Sequence, residues 1–379
     1  MSAASARIPA RPGQALALTT RLQELPVDRL AGPDGRPVDL STILAATSTD
    51  AWIVLHDGVV VDERYPRGWE TGALHPLLSI TKTVVGAVTG ILIGQGRLDP
   101  RAPVAAYLPE LAGSGYGGAT LRDVLDMRSG VRFDEDYANP NSDVNRMGAT
   151  PAGWQSFLRE VVADRPHGGP FEYRSVETEV LGWACERASG SAMPQLISEL
   201  IWQPMGAEND AALLLDPVGA PIHDGGMLAT ARDVARFGQL LLAGGAASRT
   251  QVIPRDWIAQ IWAIDPDLRA AFHGSPAGPA MPGGWYRSQC WLLPGPHGDL
   301  LLALGIHGQL LRVDPATRTV MVKLSSWPHA QDPASLHATL RGCDAVAAAL
   351  SGRPIGAGPR FTTPTSSGMG PALGSADSR

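Results

Sequence analysis

Ser79-Ile80-Thr81-Lys82, running on into Thr83-Val84-Val85-Gly86-Ala87-Val88-Thr89-Gly90-Ile91-Leu92-Ile93, is the stretch on which the reading of this chain turns. A spacing of three puts the serine and lysine side chains on one face of a helix. The residues that follow are almost all small or apolar, and a helix apolar on every side is buried rather than amphipathic. The lysine in its first turn therefore sits near the interior. Composition makes that lysine unusual, because the chain carries two lysines, Lys82 and Lys323, against 29 arginines. Arginine serves wherever a surface positive charge is enough, but its guanidinium does not give up a proton in a protein, whereas a desolvated lysine can be tuned. A serine hydroxyl needs a base to be nucleophilic at neutral pH, and Lys82 is the local base on offer. Desolvation is expected to lower its pKa, with a neighbouring phenol or second cation holding it poised.

Upstream, Trp52-Ile53-Val54-Leu55 and Val59-Val60-Val61 flank His56-Asp57-Gly58, a hairpin signal with Asp-Gly at the turn. Downstream, from about 99 to 207, the pattern is mostly helical with long loops. Thr120-Leu121-Arg122-Asp123 reads as a capped helix start, and Thr178 to Ala188 carries apolar residues at helical spacing. Strand-like segments return after 208, most clearly Trp285 to Leu293, Leu300 to Ile306 and Thr319 to Ser325. Thr230-Ala231-Arg232-Asp233 repeats the capping form, and an alanine-rich helix is expected over roughly 333 to 350. The order implies an α/β lobe (20–98 and 208–350) with a helical lobe (99–207) inserted in its middle and a site between them. Residues 1–19 are expected to form a loose arm, and the Gly/Pro/Ser/Thr-rich 351–379 a disordered tail.

No Gly-x-Ser-x-Gly occurs, which disfavours the nucleophile-elbow route to a Ser-His-Asp triad. The best phenol to partner Ser79 and Lys82 is in Phe171-Glu172-Tyr173-Arg174-Ser175, at a loop-to-helix junction in a chain with only six tyrosines. Read alone, a loop tyrosine such as Tyr173 is more often a surface aromatic than a catalytic phenol. Lys323, in an apolar strand ahead of Ser325 and Ser326, reads as structural. Asp224, before Gly225-Gly226, fits either a tight turn or a carboxylate facing the cleft, where it would favour an ammonium-bearing substrate.

Ser-x-x-Lys heading a buried helix, a later Tyr-x-Ser and a glycine-bearing strand near the C-terminus resemble the penicillin-recognising serine hydrolases, the group of class C β-lactamases, D-alanyl-D-alanine peptidases and related esterases. The fuller likeness is to 6-aminohexanoate-dimer (nylon-oligomer) hydrolases. It is carried by Leu125-Asp126-Met127, Glu135-Asp136-Tyr137, Phe171-x-Tyr173-x-Ser175, Gly305-Ile306-His307-Gly308-Gln309 and Val322-Lys323-Leu324-Ser325-Ser326-Trp327-Pro328, spanning about 50 to 345. The resemblance implies a β-lactamase/transpeptidase-like α/β fold, an antiparallel sheet flanked by helices. It also implies that Ser79 is acylated, that Lys82 takes or holds its proton, and that Tyr173 relays a proton to the leaving group. The Ser79 backbone N–H would be one oxyanion donor and Ile306 the second. Tyr137 would contact the amide side of the substrate, with Ser175 and His307 beside the cleft. His307 also fits a satisfied strand histidine.

Departures bear on the substrate. The Lys-Thr-Gly of β-lactamases is replaced by Leu304-Gly305-Ile306-His307, the tyrosine motif ends in serine rather than asparagine, and Ser142-Asp143-Val144 lacks the Ser-Asp-Asn form. These point away from β-lactam turnover. The segment between Tyr137 and Tyr173 looks shorter than in nylon-oligomer hydrolases, which bears on the pocket it shapes. The expected reaction is hydrolysis of an ester or small linear amide. Alternatives are acyl transfer to an amine or alcohol, and a catalytically dead binding protein on the same scaffold.

Composition closes other routes. A net charge of −6 and a pI near 5.8 leave no basic footprint for nucleic acid. The nine histidines form no His-x-x-x-His cluster, so no metal or other cofactor is expected. No apolar run of membrane-spanning or signal-peptide length occurs, so the expectation is a cytoplasmic protein acting on a small molecule, compatible with a homodimer. Cys185, Cys290 and Cys343, odd in number and far apart, suit reduced thiols.

Overall fold

The computed structural model describes residues 4–25, 27, 30–31 and 36–353. Thr49–His56 and Val59–Arg64 pair as an antiparallel hairpin. Its turn residues, Asp57 at φ 51° and Gly58 at φ 76°, are both left-handed, as a two-residue type I′ turn requires. The hairpin forms one side of a seven-stranded antiparallel sheet. From the other edge the order is Trp285–Arg287, Cys290–Pro294, Asp299–Gly305, Gln309–Asp314, Thr319–Ser325, and then the two hairpin strands.

Side-chain alternation along these strands decides what covers each face. Ile53, Leu55, Leu301, Leu311, Val320 and Val322 share one core with the helices Ile80–Gly94 and Ala231–Leu242. Trp52, Val54, Leu302, Leu310 and Met321 share the other with Leu40–Ala46 and Pro333–Ser351. Close packing on the first face depends on small residues. A Cβ on Gly90 would lie 2.3 Å from the Trp257 ring, and one on Gly86 2.7 Å from the Ser288 carbonyl. The apolar run after Ser79 is therefore buried on all sides, as its composition implied.

Between residues 99 and 207 the regular elements are helical, among them Leu121–Leu125, Asp143–Gly148, Trp154–Leu158, Ser175–Ser189 and Met193–Ile197. Thr120 caps its helix as expected, with a reciprocal bond from its own N–H to Asp123. Ser175–Ser189 starts three residues earlier than its apolar spacing suggested. The apolar run from Trp285 to Leu293 is two strands rather than one. It breaks at Ser288-Gln289, where φ is 52° and 66° and Asp126 accepts the Ser288 N–H at 2.9 Å.

The expected loose N-terminal arm is corrected among its described residues. Ser5–Ile8 forms an edge strand against Ala211–Leu214, and Ile8 is fully buried. Leu16 then donates to the Gly206 carbonyl, and Thr20 bridges to Val60. The tail, 354–379, lies outside the described residues. All three cysteines are free and buried, and no described helix is long and apolar enough to cross a membrane.

Candidate active site

The approach to Ser79 is anchored on the Met227–Ala229 strand and on Asp50. His75-Pro76 pairs with Met227–Ala229, Leu77 donates to the Met227 carbonyl at 2.8 Å, and His75 Nε2 lies 3.1 Å from the Asp50 carboxylate. These contacts hold Leu78 at φ 47°, a left-handed conformation that costs a non-glycine residue about 1–3 kcal/mol and tends to mark functional sites. Ser79 follows with helical φ/ψ and makes no side-chain cap bond. A serine at a helix start ordinarily spends its hydroxyl on capping. Here it turns instead to Lys82, whose Nζ donates to Ser79 Oγ at 3.0 Å.

Lys82 is 1% exposed. Its Nζ also donates to the Asp224 carbonyl at 2.8 Å, and the Asp224 carboxylate stands 3.8 Å away. Tyr173 lines the same cavity as Ser79, with the Lys82 nitrogen 5.3 Å from the Tyr173 ring centre. Burial pushes the Lys82 pKa down, but Tyr173, Asp224 and Glu135 together push it up further, and the net direction is upward. That corrects the expectation of a lowered pKa: desolvation is present, but acidic neighbours outweigh it. Tyr173 also moves up, chiefly through burial, against the opposing pull of Lys82. The resting pair at neutral pH is an ammonium beside a neutral phenol.

Sequence reasoning left Glu135 without a role. It is buried, and one carboxylate oxygen accepts the Tyr137 hydroxyl at 2.7 Å and the Ser175 hydroxyl, while the other accepts the Ser175 N–H at 2.8 Å. Its pKa is raised, chiefly by burial, with Lys82 and these hydrogen bonds opposing. Ser175, the last residue of the tyrosine motif, is fully buried and does not line the cavity; it braces Glu135 behind Lys82. Tyr137 lines the cavity with its hydroxyl tied back to Glu135.

Asp224 does not face the cleft as a substrate carboxylate would. It is buried against Lys82, outside the cavity lining, and burial lifts its pKa to about 6 against the pull of Lys82. Its backbone N–H and that of His223 donate to one oxygen of Glu179, at 2.8 and 2.7 Å. The other Glu179 oxygen takes His223 Nδ1 at 2.9 Å, and Glu186 lies 3.6 Å from His223 Nε2. Burial alone would depress His223, but Glu179 and Glu186 raise its pKa to about 10. An imidazolium between two carboxylates thus sets the segment whose carbonyl grips Lys82. The available sequence signal was Glu177 and Glu179 inside an otherwise buried helix face, since buried carboxylates need partners.

A cavity of about 490 Å³ opens beside Ser79 and is lined by Tyr173, Tyr137, Glu135, Gly305 and Ile306 among others. A Cβ on Gly305 would stand 2.9 Å from the Leu77 carbonyl, so the strand end abuts the turn that carries Ser79. His307 is not in the lining. Its N–H donates to the Ala330 carbonyl and its Nδ1 lies 2.8 Å from the Trp327 carbonyl, which corrects its place beside substrate in favour of a satisfied structural histidine. Trp291, unremarked in the sequence, stacks on Tyr173 with ring centres 5.2 Å apart and planes 22° apart. Among the described residues no cluster of histidine, cysteine and acidic side chains could hold a metal.

Known proteins share this arrangement of sequence and fold. A family model described as Beta-lactamase matches residues 41–343. The chain is 37% identical over 346 residues to a 6-aminohexanoate-dimer hydrolase of Paenarthrobacter ureafaciens, covering 89% of this chain and 84% of that one. It is 24% identical over 193 residues to esterase EstB of Burkholderia gladioli, covering 44% and 46%. Among solved structures, a Bacillus anthracis protein assigned as a 6-aminohexanoate-dimer hydrolase superposes with a TM-score of 0.84 at 27% identity, over 93% of this chain and 92% of that one.

Proposed function

The chain belongs to the beta-lactamase family and is a serine hydrolase, and on that premise we propose that Ser79 attacks an ester or small linear amide to form an acyl-serine that water then releases. The observation that carries this reading is the 3.0 Å contact between Lys82 Nζ and a Ser79 hydroxyl left uncapped at the mouth of a cavity. The linear-amide side of the proposal draws on the dimer hydrolase at 37% identity, and the ester side on the esterase. We read the helical segment 99–207 as a lobe that supplies Glu135, Tyr137 and Tyr173 to a nucleophile held by the sheet lobe.

The proton chemistry follows from the charges. With Lys82 as ammonium and Tyr173 as phenol, neither accepts the Ser79 proton. The competent form is the one in which the Lys82–Tyr173 pair has lost one proton. That pair then takes the proton from Ser79 Oγ as the oxygen bonds to the carbonyl carbon. Tyr173 returns it to the leaving alkoxide or amine as the tetrahedral intermediate collapses, and a water repeats the sequence on the acyl-enzyme. The positive charge beside Ser79 stabilises the developing anion within a buried site, where such stabilisation is strongest. The backbone N–H groups of Ser79, at a helix N-terminus, and of Ile306, on the turn after the Gly305 strand, would receive the carbonyl oxygen.

Intact-mass spectrometry after mixing with an ester panel, a 6-aminohexanoate dimer and a β-lactam tests the proposal. An acyl mass gain from an ester or the linear amide, absent in Ser79→Ala, is the expected result. No adduct is expected from the β-lactam, since the Lys-Thr-Gly strand is missing. Full turnover by Ser79→Ala would overturn the mechanism.

A further inference from the structure

Resting on Ser79 as the nucleophile and on the Ile306 N–H as an oxyanion donor, we propose that Gln309 is a positioning residue. Its side-chain amide holds the turn that carries Ile306, so that the Ile306 N–H stays aimed at the substrate's carbonyl oxygen. Gly305 and Gln309 pair at the ends of two adjacent strands, which makes Ile306-His307-Gly308 a three-residue turn between them. Ser79, Ile306 and Gln309 line one cavity. The turn is not a relaxed one. His307 at φ 58° and Gly308 at φ 89° are both left-handed, and such a conformation in a residue with a Cβ persists only where its surroundings over-determine it. A helix start leaves its first N–H groups without an intrahelical acceptor, and no other backbone carbonyl among the described residues takes the Ile306 N–H.

Gln309 supplies that constraint from a buried position. Its Nε2 donates to the carbonyls of Ser325 at 2.7 Å, His307 at 3.1 Å and Ile306 at 3.3 Å, and its Oε1 accepts the Ser325 N–H at 3.0 Å. Three carbonyls around the nitrogen and one N–H at the oxygen fix which end of the amide is which. The backbone ladder between these two strands ends at Leu310 and Lys323. Beyond it the Gln309 amide pairs with both backbone groups of Ser325, as another peptide unit would, and its second N–H is left for the turn. Contacts from Trp327 and Ala330 reach the turn through His307. The Gln309 amide acts on Ile306 itself, holding its carbonyl on one side while the Gly305 pairing fixes the peptide on the other. Between those two peptide planes the soft dihedrals are φ and ψ of Ile306, so fixing both planes fixes the direction of the N–H.

Two variants test the role. Gln309→Glu keeps the shape and the acceptor for Ser325 but turns oxygen toward the three carbonyls, and Gln309→Met keeps the chain length without hydrogen bonds. In both, kcat for p-nitrophenyl acetate should fall about 10–100-fold with KM within about twofold, short of the full loss of an oxyanion donor. A trifluoromethyl ketone, which adds to Ser79 as an alkoxide needing the same donors, should lose affinity by a similar factor. The infrared carbonyl stretch of the acyl-enzyme formed from p-nitrophenyl pivalate should move to higher frequency, because a misaimed N–H polarises the carbonyl less. A role confined to stability would leave that band in place. Circular dichroism and urea unfolding check the fold. In a folded variant, unchanged kcat, or a fall in kcat with the ketone affinity and the carbonyl band unmoved, overturns the role of Gln309. Failure of both variants to fold overturns it too, by assigning the amide to the fold alone. A wild type that forms no acyl adduct at Ser79 overturns the hydrolase reading as well, so the two failures are told apart.

Discussion

Replacing Lys323 by methionine should stabilise this protein at neutral pH and lose that advantage as the solution is made alkaline. Lys323 is fully buried in the Thr319–Ser325 strand, its nitrogen donating to the Thr47 carbonyl at 3.1 Å and contacting the Ser325 hydroxyl. Unlike Lys82, which has the Asp224 carboxylate at 3.8 Å, it forms no ion pair with a described carboxylate, and burial lowers its pKa to about 7 from an ordinary 10.5, with Cys343 and Asp50 opposing. A folded-state pKa below the unfolded one means the group's contribution is fully present above the unfolded value and is lost as pH falls toward the folded one. Between pH 7 and 9 the unfolded chain holds a proton that the folded chain does not, so stability rises with pH by about 1.4 kcal/mol per pH unit. Across those two units the wild type should gain about 2.5 kcal/mol on Lys323→Met. The variant gives up two hydrogen bonds, worth about 1 kcal/mol each, but the Thr47 carbonyl keeps its bond from the Trp327 indole at 2.8 Å. Methionine also fills a similar volume without a charge. The expectation is a variant more stable by roughly 1–3 kcal/mol at pH 7, with the gap closed or reversed by pH 9. Urea unfolding of both proteins at pH 6.5, 7, 8 and 9 measures the gap, and other titrating groups cancel in the difference. A difference constant across that range would refute the buried, depressed lysine.

Three further outcomes follow from the site. Because the Lys82 and Tyr173 pKa values are both raised, log kcat/KM for a neutral ester should climb steadily from pH 7 to 9. A plateau beginning at neutral pH would instead indicate a lysine already deprotonated. Lys82→Arg should keep the fold by circular dichroism and lose roughly 10²–10⁴-fold in kcat/KM, the usual worth of a positioned acid–base group, because the guanidinium preserves charge without exchanging protons. Near-native turnover would return Lys82 to a purely electrostatic role. Gly182→Ala would put a Cβ 2.1 Å from the His223 ring. It should cost about 1–3 kcal/mol in urea unfolding and lower kcat more than it changes KM, since the displaced segment carries the Asp224 carbonyl that holds Lys82. Unchanged stability and kcat would show that the His223 strut is dispensable.

The parts of the fold that were legible in the chain were those fixed by local chemistry. Asp57-Gly58 specified its hairpin through two left-handed residues, Thr120 its cap through a reciprocal hydrogen bond, and residues 84 to 93 their burial through the lack of a polar face. Trp285 to Leu293 misled because an apolar run hides a two-residue turn whose geometry is enforced by Asp126, a residue far away in the chain. The N-terminal arm misled for a similar reason: Ser5–Ile8 has little strand character of its own and is ordered by pairing with Ala211–Leu214, about two hundred residues away.

The amino-acid sequence by itself determined the nucleophile candidate and its partners by type, Ser79, Lys82 and Tyr173, because a buried helix start, a scarce lysine and a junction tyrosine are all local features. Tertiary structure decided what those residues can do. Only the folded chain brings Asp224 and Glu135 against Lys82 and so reverses the direction of its pKa, turns Ser79 away from capping, and retires His307 and the Asp224 carboxylate from the substrate's side. Charge state in a protein interior depends on the sum of distant neighbours and lost water, and neither is written in the spacing of a motif.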